Sequence, residues 1–208
     1  MAGFTVESKT RIGNLALFHL GIDKDVSNVN TERSAEASAL RKVHDIALRR
    51  ILEDHPWKFA TNWKDLGLVR EDPNSGWAYE YRYPSDAVKL RYIWSGIRNQ
   101  DREDQVPFDV ASDDTGAVIW TDEQNAEIIY TKYVEDYGMF HADFLTAFSH
   151  MWAYYVAPRL TKGDPFKLKN EQFQLYKMEL GKAKASDMNE TVREPISDSG
   201  FIQTRSEG

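Results

Sequence analysis

The spacing of apolar residues changes character twice along this chain, and that change limits the folds open to it. Between residues 40 and 52, apolar side chains recur at positions i, i+3, i+4 and i+7, the spacing of one helix face. Between residues 57 and 133 the apolar runs are short, rich in aromatic and β-branched residues and separated by turn residues, which favours strands. Helical spacing returns at residue 142. The pattern predicts an α+β fold with a β module inserted between two helical segments.

Four main helices are predicted from this spacing and from residues that favour helix ends. The first ends at Gly21, and the second ends at His55-Pro56. The third runs over Ala142–Leu160, and the fourth begins with Asp164 as N-cap and Pro165 at the first helical position. The stripes predicted to face the core comprise Ile12, Leu15, Ala16 and Leu20 on the first helix, and Phe166, Phe173, Tyr176, Leu180 and Ala183 on the fourth.

Six strands are predicted in the middle of the chain, and together they favour an antiparallel sheet or a small sandwich. In one of them Tyr79, Tyr81 and Tyr83 alternate with Glu80 and Arg82, a period of two that indicates a half-buried strand. The predicted strands are Lys64–Arg70, Trp77–Tyr83, Val88–Ile93, Val106–Ala111, Ala117–Thr121 and Glu127–Tyr133.

These elements predict a division of the chain into two modules and a tail. Residues 1–56 and 134–189 are expected to form an α-helical bundle, because no single helix pair can bury its apolar stripe alone. Residues 57–133 are expected to form the inserted antiparallel β module. Residues 190–208 are polar and contain proline and glycine, which predicts an extended C-terminal tail.

Charge and composition exclude several classes of protein. The chain contains no cysteine, so disulfides, thiolate catalysis and cysteine-based zinc sites are excluded. Its formal net charge of −7 disfavours general binding to the phosphate backbone of nucleic acids. The first residues contain neither a basic segment nor an apolar run, so no signal peptide is expected, and no run approaches the length of a membrane span. We expect a protein that is made and kept in the cytoplasm, with no membrane partner.

No pattern in the sequence predicts catalysis, a cofactor or a metal ion. The five histidines include no His-Glu-x-x-His motif, and His44 lies on the apolar stripe of the second helix, where a hydrogen-bonded core histidine is expected. The acidic clusters at residues 101–104, 113–114 and 122–123 match no known cation-binding loop, so solvated turns are expected there. The chain is therefore predicted not to be an enzyme.

Two other classes of function stay open. One is a small enzyme with an unrecognised site. The other is a carbohydrate- or peptide-binding β module on a helical scaffold, for which Trp77, Trp94 and Trp120 would be the contacts if they are exposed.

Several landmarks follow one another in an order that resembles a known family. The most specific are Pro-Trp-x-Phe-Ala at residues 56–60 and Tyr-x-x-Pro-x-Asp at residues 81–86. The others are Leu20-Gly21, Leu90-Arg91, Thr121-Asp122-Glu123, Ile129-Tyr130-Thr131, Val134-Glu135-Asp136, Tyr155-Val156-Ala157 and Leu160-Thr161. This layout covers most of the chain before the tail and resembles the tail tubular protein A family, the head-to-tail adaptors of podoviruses.

The resemblance implies a structural role at the head-tail junction of a virion, after assembly in the host cytoplasm. Adaptors of this family form a dodecameric ring beneath the portal. The implied partners are the portal protein, the tail nozzle protein and further copies of the same chain. DNA would pass through the central channel without specific binding.

Three groups of residues are predicted to serve this role. Trp57, Phe59, Pro84 and Asp86 are predicted at the junction of the bundle and the sheet, where buried aromatic area stabilises the fold. Residues predicted to face the channel are Asp101, Glu103 and Asp104. Residues predicted to dock on the portal are Ile196, Phe201, Ile202 and Arg205 of the tail.

Overall fold

The computed structural model describes residues 6–73, 75–97, 105–161 and 163–190. Over these residues the chain contains four α-helices and two antiparallel sheets, which confirms the α+β class. The helices are α1 (Val6–His19), α2 (Ala35–Glu53), α3 (Ala142–Leu160) and α4 (Pro165–Asn189). The strands are β1 (Thr61–Asp65), β2 (Leu68–Glu71), β3 (Tyr79–Arg82), β4 (Ala87–Ile93), β5 (Phe108–Asp113), β6 (Gly116–Thr121) and β7 (Glu127–Lys132).

Helix α3 is central to the helical region and contacts each of the other three helices. Its Trp152 is fully buried, and the indole Nε1 donates a hydrogen bond of 3.0 Å to the carbonyl of Leu40 on α2. Gly13 lets α1 approach this contact closely, since a Cβ there would lie 3.1 Å from Cδ1 of Leu40. The expected helix ends are confirmed at Gly21, which has φ of +68°, and at Asp164, which accepts the amide proton of Lys167.

The core-facing stripes of α1 and α4 differ from the prediction at two residues. Leu15 is 37% exposed because α1 buries the opposite side, which carries Leu17. Phe166 is 71% exposed, because α4 buries a face centred between Tyr176 and Ala183. At 3.6 residues per turn, Phe166 is rotated from that centre by roughly 80°.

The seven strands form a three-stranded sheet of order β1-β7-β4 and a four-stranded sheet of order β2-β3-β6-β5. A small core of Ile93, Ile119 and Ile128 with Tyr81 and Tyr130 draws residues from both sheets. The single strand predicted over residues 64–70 is wrong. The other strand predictions are confirmed to within a few residues at their ends.

The chain crosses from one sheet to the other at Leu66 and Gly67. The amide of Leu66 donates to the carbonyl of Ala126, and the carbonyl of Gly67 accepts the amide proton of Arg82, both at 2.9 Å. The buried Leu66 side chain therefore marks the end of β1, and β2 begins in the second sheet.

The alternation predicted for β3 is also only partly right. Tyr81 is buried in the sheet core, as expected. Glu80 points to the other face but is 1% exposed, because Trp120 and Arg70 cover it and donate hydrogen bonds of 2.7 and 3.0 Å to Oε2.

The division into bundle, β module and tail stays a prediction. At the predicted boundary between residues 56 and 57 the structure differs from it in one respect: Trp57 and Ala60, assigned to the β module, belong to the buried core of the helices. The predicted tail from residue 191 onward and the predicted channel residues 101–104 lie outside the described residues. Among the described helices, none is both long and apolar enough to cross a membrane.

Candidate functional site

The predicted junction residues Trp57 and Phe59 are packed against the start of α3. Trp57 is fully buried and donates a hydrogen bond of 2.8 Å from Nε1 to the carbonyl of Ile51, near the end of α2. The ring of Phe144 lies edge-on to both aromatics, with centroids 4.9 Å from Trp57 and 5.0 Å from Phe59. These contacts join the end of α2, the entry to β1 and the start of α3 in one aromatic cluster.

Arg91 of β4 joins the sheet to the end of α2, and the sequence did not single it out for this role. Its Nη2 donates to the carbonyls of Leu52, Glu53 and His55 at 3.2, 3.3 and 2.7 Å, and its Nε donates to Oγ1 of Thr131 at 2.8 Å. A cation at these carbonyls is favourable, because they form the partly negative end of a helix.

Pro84 and Asp86 lie at the other end of the same sheet. Pro84 is buried, and its carbonyl accepts the amide proton of Ala87 at 3.1 Å. The carboxylate of Asp86 accepts a hydrogen bond of 3.0 Å from the hydroxyl of Tyr130, and its carbonyl accepts the amide proton of Tyr133. Asp86 thus fixes β4 against β7.

A group of histidines and carboxylates surrounds the place where α4 ends. Asp187 is 2% exposed; Oδ2 is 3.0 Å from Nε2 of His55, and Oδ1 accepts the amide proton of Lys58 at 3.1 Å. Nδ1 of His141, the N-cap residue of α3, is 3.4 Å from Oε1 of Glu190. Burial lowers the pKa of His55, which the nearby carboxylate of Asp187 only partly opposes. A neutral His55 donates a hydrogen bond from its Nε2–H group to the carboxylate of Asp187.

Spacing along the sequence could not reveal this group, because His55 and His141 are separated from each other and from Asp187 by tens of residues. The signal that was available is polarity on an apolar stripe: Asp187 lies four residues after Ala183 and seven after Leu180, on the buried face of α4. A charged residue in such a position requires a partner inside the protein.

His44 and Asp113, which the sequence analysis considered as possible functional residues, each form hydrogen bonds with neighbouring side chains of the fold. His44 is 4% exposed and lies 2.5 Å from the hydroxyl of Tyr137, which confirms a hydrogen-bonded core histidine. Asp113 accepts two hydrogen bonds from Arg82 and others from the turn between β5 and β6, so the solvated-turn interpretation is confirmed there.

The tryptophans considered for a binding module are half-buried at residues 77, 94 and 120. The exposed one is Trp63 of β1, which is 51% exposed and lies with its ring centroid 4.8 Å from that of Trp94. Its indole Nε1 donates to Glu127 at 2.6 Å. Sequence reasoning missed Trp63 because its neighbours Asn62 and Lys64 are both polar, so they do not indicate which face of the strand is exposed to solvent.

Helix α4 has an apolar stripe on its outer side. We call this the outer stripe; it consists of Leu175, Met178, Gly181, Ala185 and Met188, all exposed. A Cβ at Gly181 would meet no atom within 4 Å. Glycine inside a helix is less favourable than alanine by about 0.5–1 kcal/mol, and no contact among the described residues requires it at this position.

A scan against protein-family models found no match, and a search of curated proteins found no similar sequence.

Proposed function

We propose that this chain is a structural head-to-tail adaptor of a tailed phage and not an enzyme. In this proposal the four helices act as a bundle, residues 57–133 as an inserted β module and residues 190–208 as an extended tail. Twelve copies form a ring that docks on the portal, continues the DNA channel and provides the surface on which the tail nozzle protein attaches. The mature location is the virion head-tail junction.

The observation that supports this proposal best is the outer stripe of α4. Its two methionines are 52% and 56% exposed, and Gly181 leaves space for a close approach by another chain. Apolar surface exposed from Leu175 to Met188 along α4 costs free energy unless a partner covers it. A ring requires such a surface, because each copy must contact the next through two different patches.

The charge of the chain is compatible with a channel that DNA passes through. A ring of chains with a net charge of −7 each repels phosphate, so we expect no duplex binding at physiological salt. Asp101, Glu103 and Asp104 are the residues proposed to face the bore. Sub-micromolar duplex affinity that falls steeply with added salt would contradict this part of the proposal.

The tail is proposed to dock on the portal through Ile196, Phe201, Ile202 and Arg205. A segment with few apolar residues that orders only on contact suits assembly in a fixed order. Deletion of residues 195–208 should leave circular dichroism and melting unchanged but weaken attachment to the portal. If the truncated chain still attaches to the portal with full occupancy, the docking surface lies outside the tail.

The outer stripe gives a sharper test with a matched control. Met178→Lys places a charge in the proposed contact, whereas Met139→Lys makes the same change at a methionine of similar exposure, 45%, outside α4. We expect a largely monomeric free chain, with ring formation on the portal lost for Met178→Lys and retained for Met139→Lys. Light scattering and electron microscopy of the mixtures measure both. Equal ring formation by the two variants would show that the outer stripe is not part of the interface between copies.

A second candidate function is supported by the Trp63–Trp94 pair. An exposed indole beside a second aromatic ring is a surface on which sugar rings or peptide side chains stack. Tryptophan fluorescence during titration with glycans and peptides tests this function. A saturable change that Trp63→Ala abolishes would favour the binding module over the adaptor.

A further inference from the structure

We propose that His141, Asp187 and Glu190 form a binding site for a divalent transition metal of the Zn²⁺ class. The site lies where α3 begins and α4 ends, and it does not depend on the adaptor proposal. One ligand atom from each of the three residues lies within 4.8 Å of the other two.

One of the three ligand–ligand distances matches that of a coordinated metal. Zn²⁺ lies about 2.0–2.2 Å from imidazole nitrogen and carboxylate oxygen in tetrahedral sites, which places neighbouring ligand atoms about 3.3–3.6 Å apart. The 3.4 Å between Nδ1 of His141 and Oε1 of Glu190 meets this spacing, and the ligand atom of Asp187 lies within 4.8 Å of both. The side chain of Glu190 is 47% exposed and follows the last residue of α4, so it has room to close on an ion.

Asp187 is held in place by the kind of contacts that orient metal ligands. Its side chain is 2% exposed, and its two oxygens each accept one hydrogen bond, from His55 and from the amide of Lys58. An ionised carboxylate has about four acceptor positions, so each oxygen keeps a lone pair for an ion. A carboxylate fixed by a histidine and a backbone amide loses little freedom when it binds metal.

The charge of the group favours a divalent cation. Two carboxylates bring two negative charges to the site, which one divalent ion would neutralise. The ammonium group of Lys58 donates a hydrogen bond to the backbone carbonyl of Asp187 and not to its carboxylate. Imidazole as a ligand selects zinc, cobalt or nickel over magnesium and calcium, and three protein ligands leave a position for water.

The ion would join elements that are distant in sequence. It would link the first turn of α3 to the last turn of α4, and through His55 and Asp187 it would reach the turn that follows α2. Because Glu190 is the first residue of the proposed tail, metal binding would also fix the point at which that tail begins.

The test is a titration of the full chain, prepared with chelator and without a histidine tag, with ZnCl₂ at pH 7.5. Isothermal calorimetry should show one equivalent bound with a dissociation constant of about 10 μM or tighter, and Co²⁺ should give the visible absorption of a tetrahedral site. His141→Gln and Glu190→Gln should each weaken binding by at least about 10-fold. Glu171→Gln, an exposed change on the same helix, should leave binding unchanged.

Histidine and cysteine, the ligands that zinc prefers, are few in this chain, which keeps the result interpretable. It has five histidines and no cysteine, and none of the histidines lies in the tail. Circular dichroism confirms that each variant is folded before titration. No binding up to 100-fold above the expected dissociation constant, or binding that His141→Gln and Glu190→Gln leave unchanged, would overturn the site.

Discussion

The helical region and the sheet region differ in the size of their apolar cores. The helical core contains two buried tryptophans and the phenylalanines 140, 144 and 148, packed from several elements. The sheet core is small, and its strands are joined in addition by charged and polar groups such as Arg82–Asp113 and Arg70–Glu80. Because salt screens ion pairs but not the burial of apolar area, added NaCl should weaken Arg82–Asp113 and Arg70–Glu80 while both apolar cores persist.

The largest expected effect is in the helical core. Trp57→Ala should lower the free energy of unfolding by about 3–5 kcal/mol, because it leaves a cavity and removes a hydrogen bond. Trp63→Ala, at an exposed tryptophan of β1, should cost about 0.5 kcal/mol. Urea unfolding measures both. Equal losses would show that the aromatic junction does not carry the stability assigned to it.

The second-largest effect on stability is expected at the contact between the helical region and the sheet region. Arg91→Ala should cost about 1.5–3 kcal/mol, because it removes charge-assisted hydrogen bonds to three carbonyls after α2. Lys89→Ala, at an exposed position of the same strand, is the control and should be near neutral. Hydrogen exchange at the end of α2 should increase only in the Arg91 variant. Unchanged exchange there would mean that the sheet does not stabilise that helix end.

The helical region should also lose stability on mild acidification through His44. Burial, with a contribution from Lys9, lowers the pKa of His44 from 6.5 to about 4. The unfolded chain therefore takes up the proton first, so this stability is fully present above pH 6.5 and is lost as the pH falls toward 4. The loss should be about 1–3 kcal/mol.

His44→Gln should remove that part of the pH dependence and leave a smaller slope. Part of the remaining slope comes from His19, whose pKa is lowered to about 4 by burial and by the stacked His150, and part from His55, whose pKa burial also lowers. Above pH 7 the stability curves of the two proteins should run parallel. An unchanged slope between pH 6.5 and 4 would show that His44 does not titrate in this range.

The smallest effect is expected for Arg82 in the sheet. Arg82 and Thr115 donate hydrogen bonds that hold the pKa of Asp113 below its usual range. This contribution is present above the ordinary pKa of an aspartate and is lost as the pH falls through the lowered folded value. Arg82→Gln should increase hydrogen exchange in the β5–β6 hairpin at low salt, and 1 M NaCl should reduce the difference. A difference that salt leaves unchanged would point to packing by the arginine stem instead.

The sequence predicted the helices better than the contacts between modules. The helix bounds followed from periodicity and from local signals such as Asp164-Pro165, which act within one turn. The break at Gly67 and the burial of Glu80 depend on the second sheet, which no local pattern reports. The group around Asp187 depends on the antiparallel packing of α3 and α4, and the role of Arg91 depends on where α2 ends. Spacing cannot reveal such long-range placement.

The measurement that tests the adaptor proposal most directly is a cryo-electron microscopy map of the full chain mixed with a phage portal protein, the partner that the proposal assigns to it. The proposal predicts an additional coaxial ring of twelve copies on the portal, with a channel continuous through both rings and α4 of one copy against the next. A portal without added ring density, or copies attached singly without closing a ring, would contradict it.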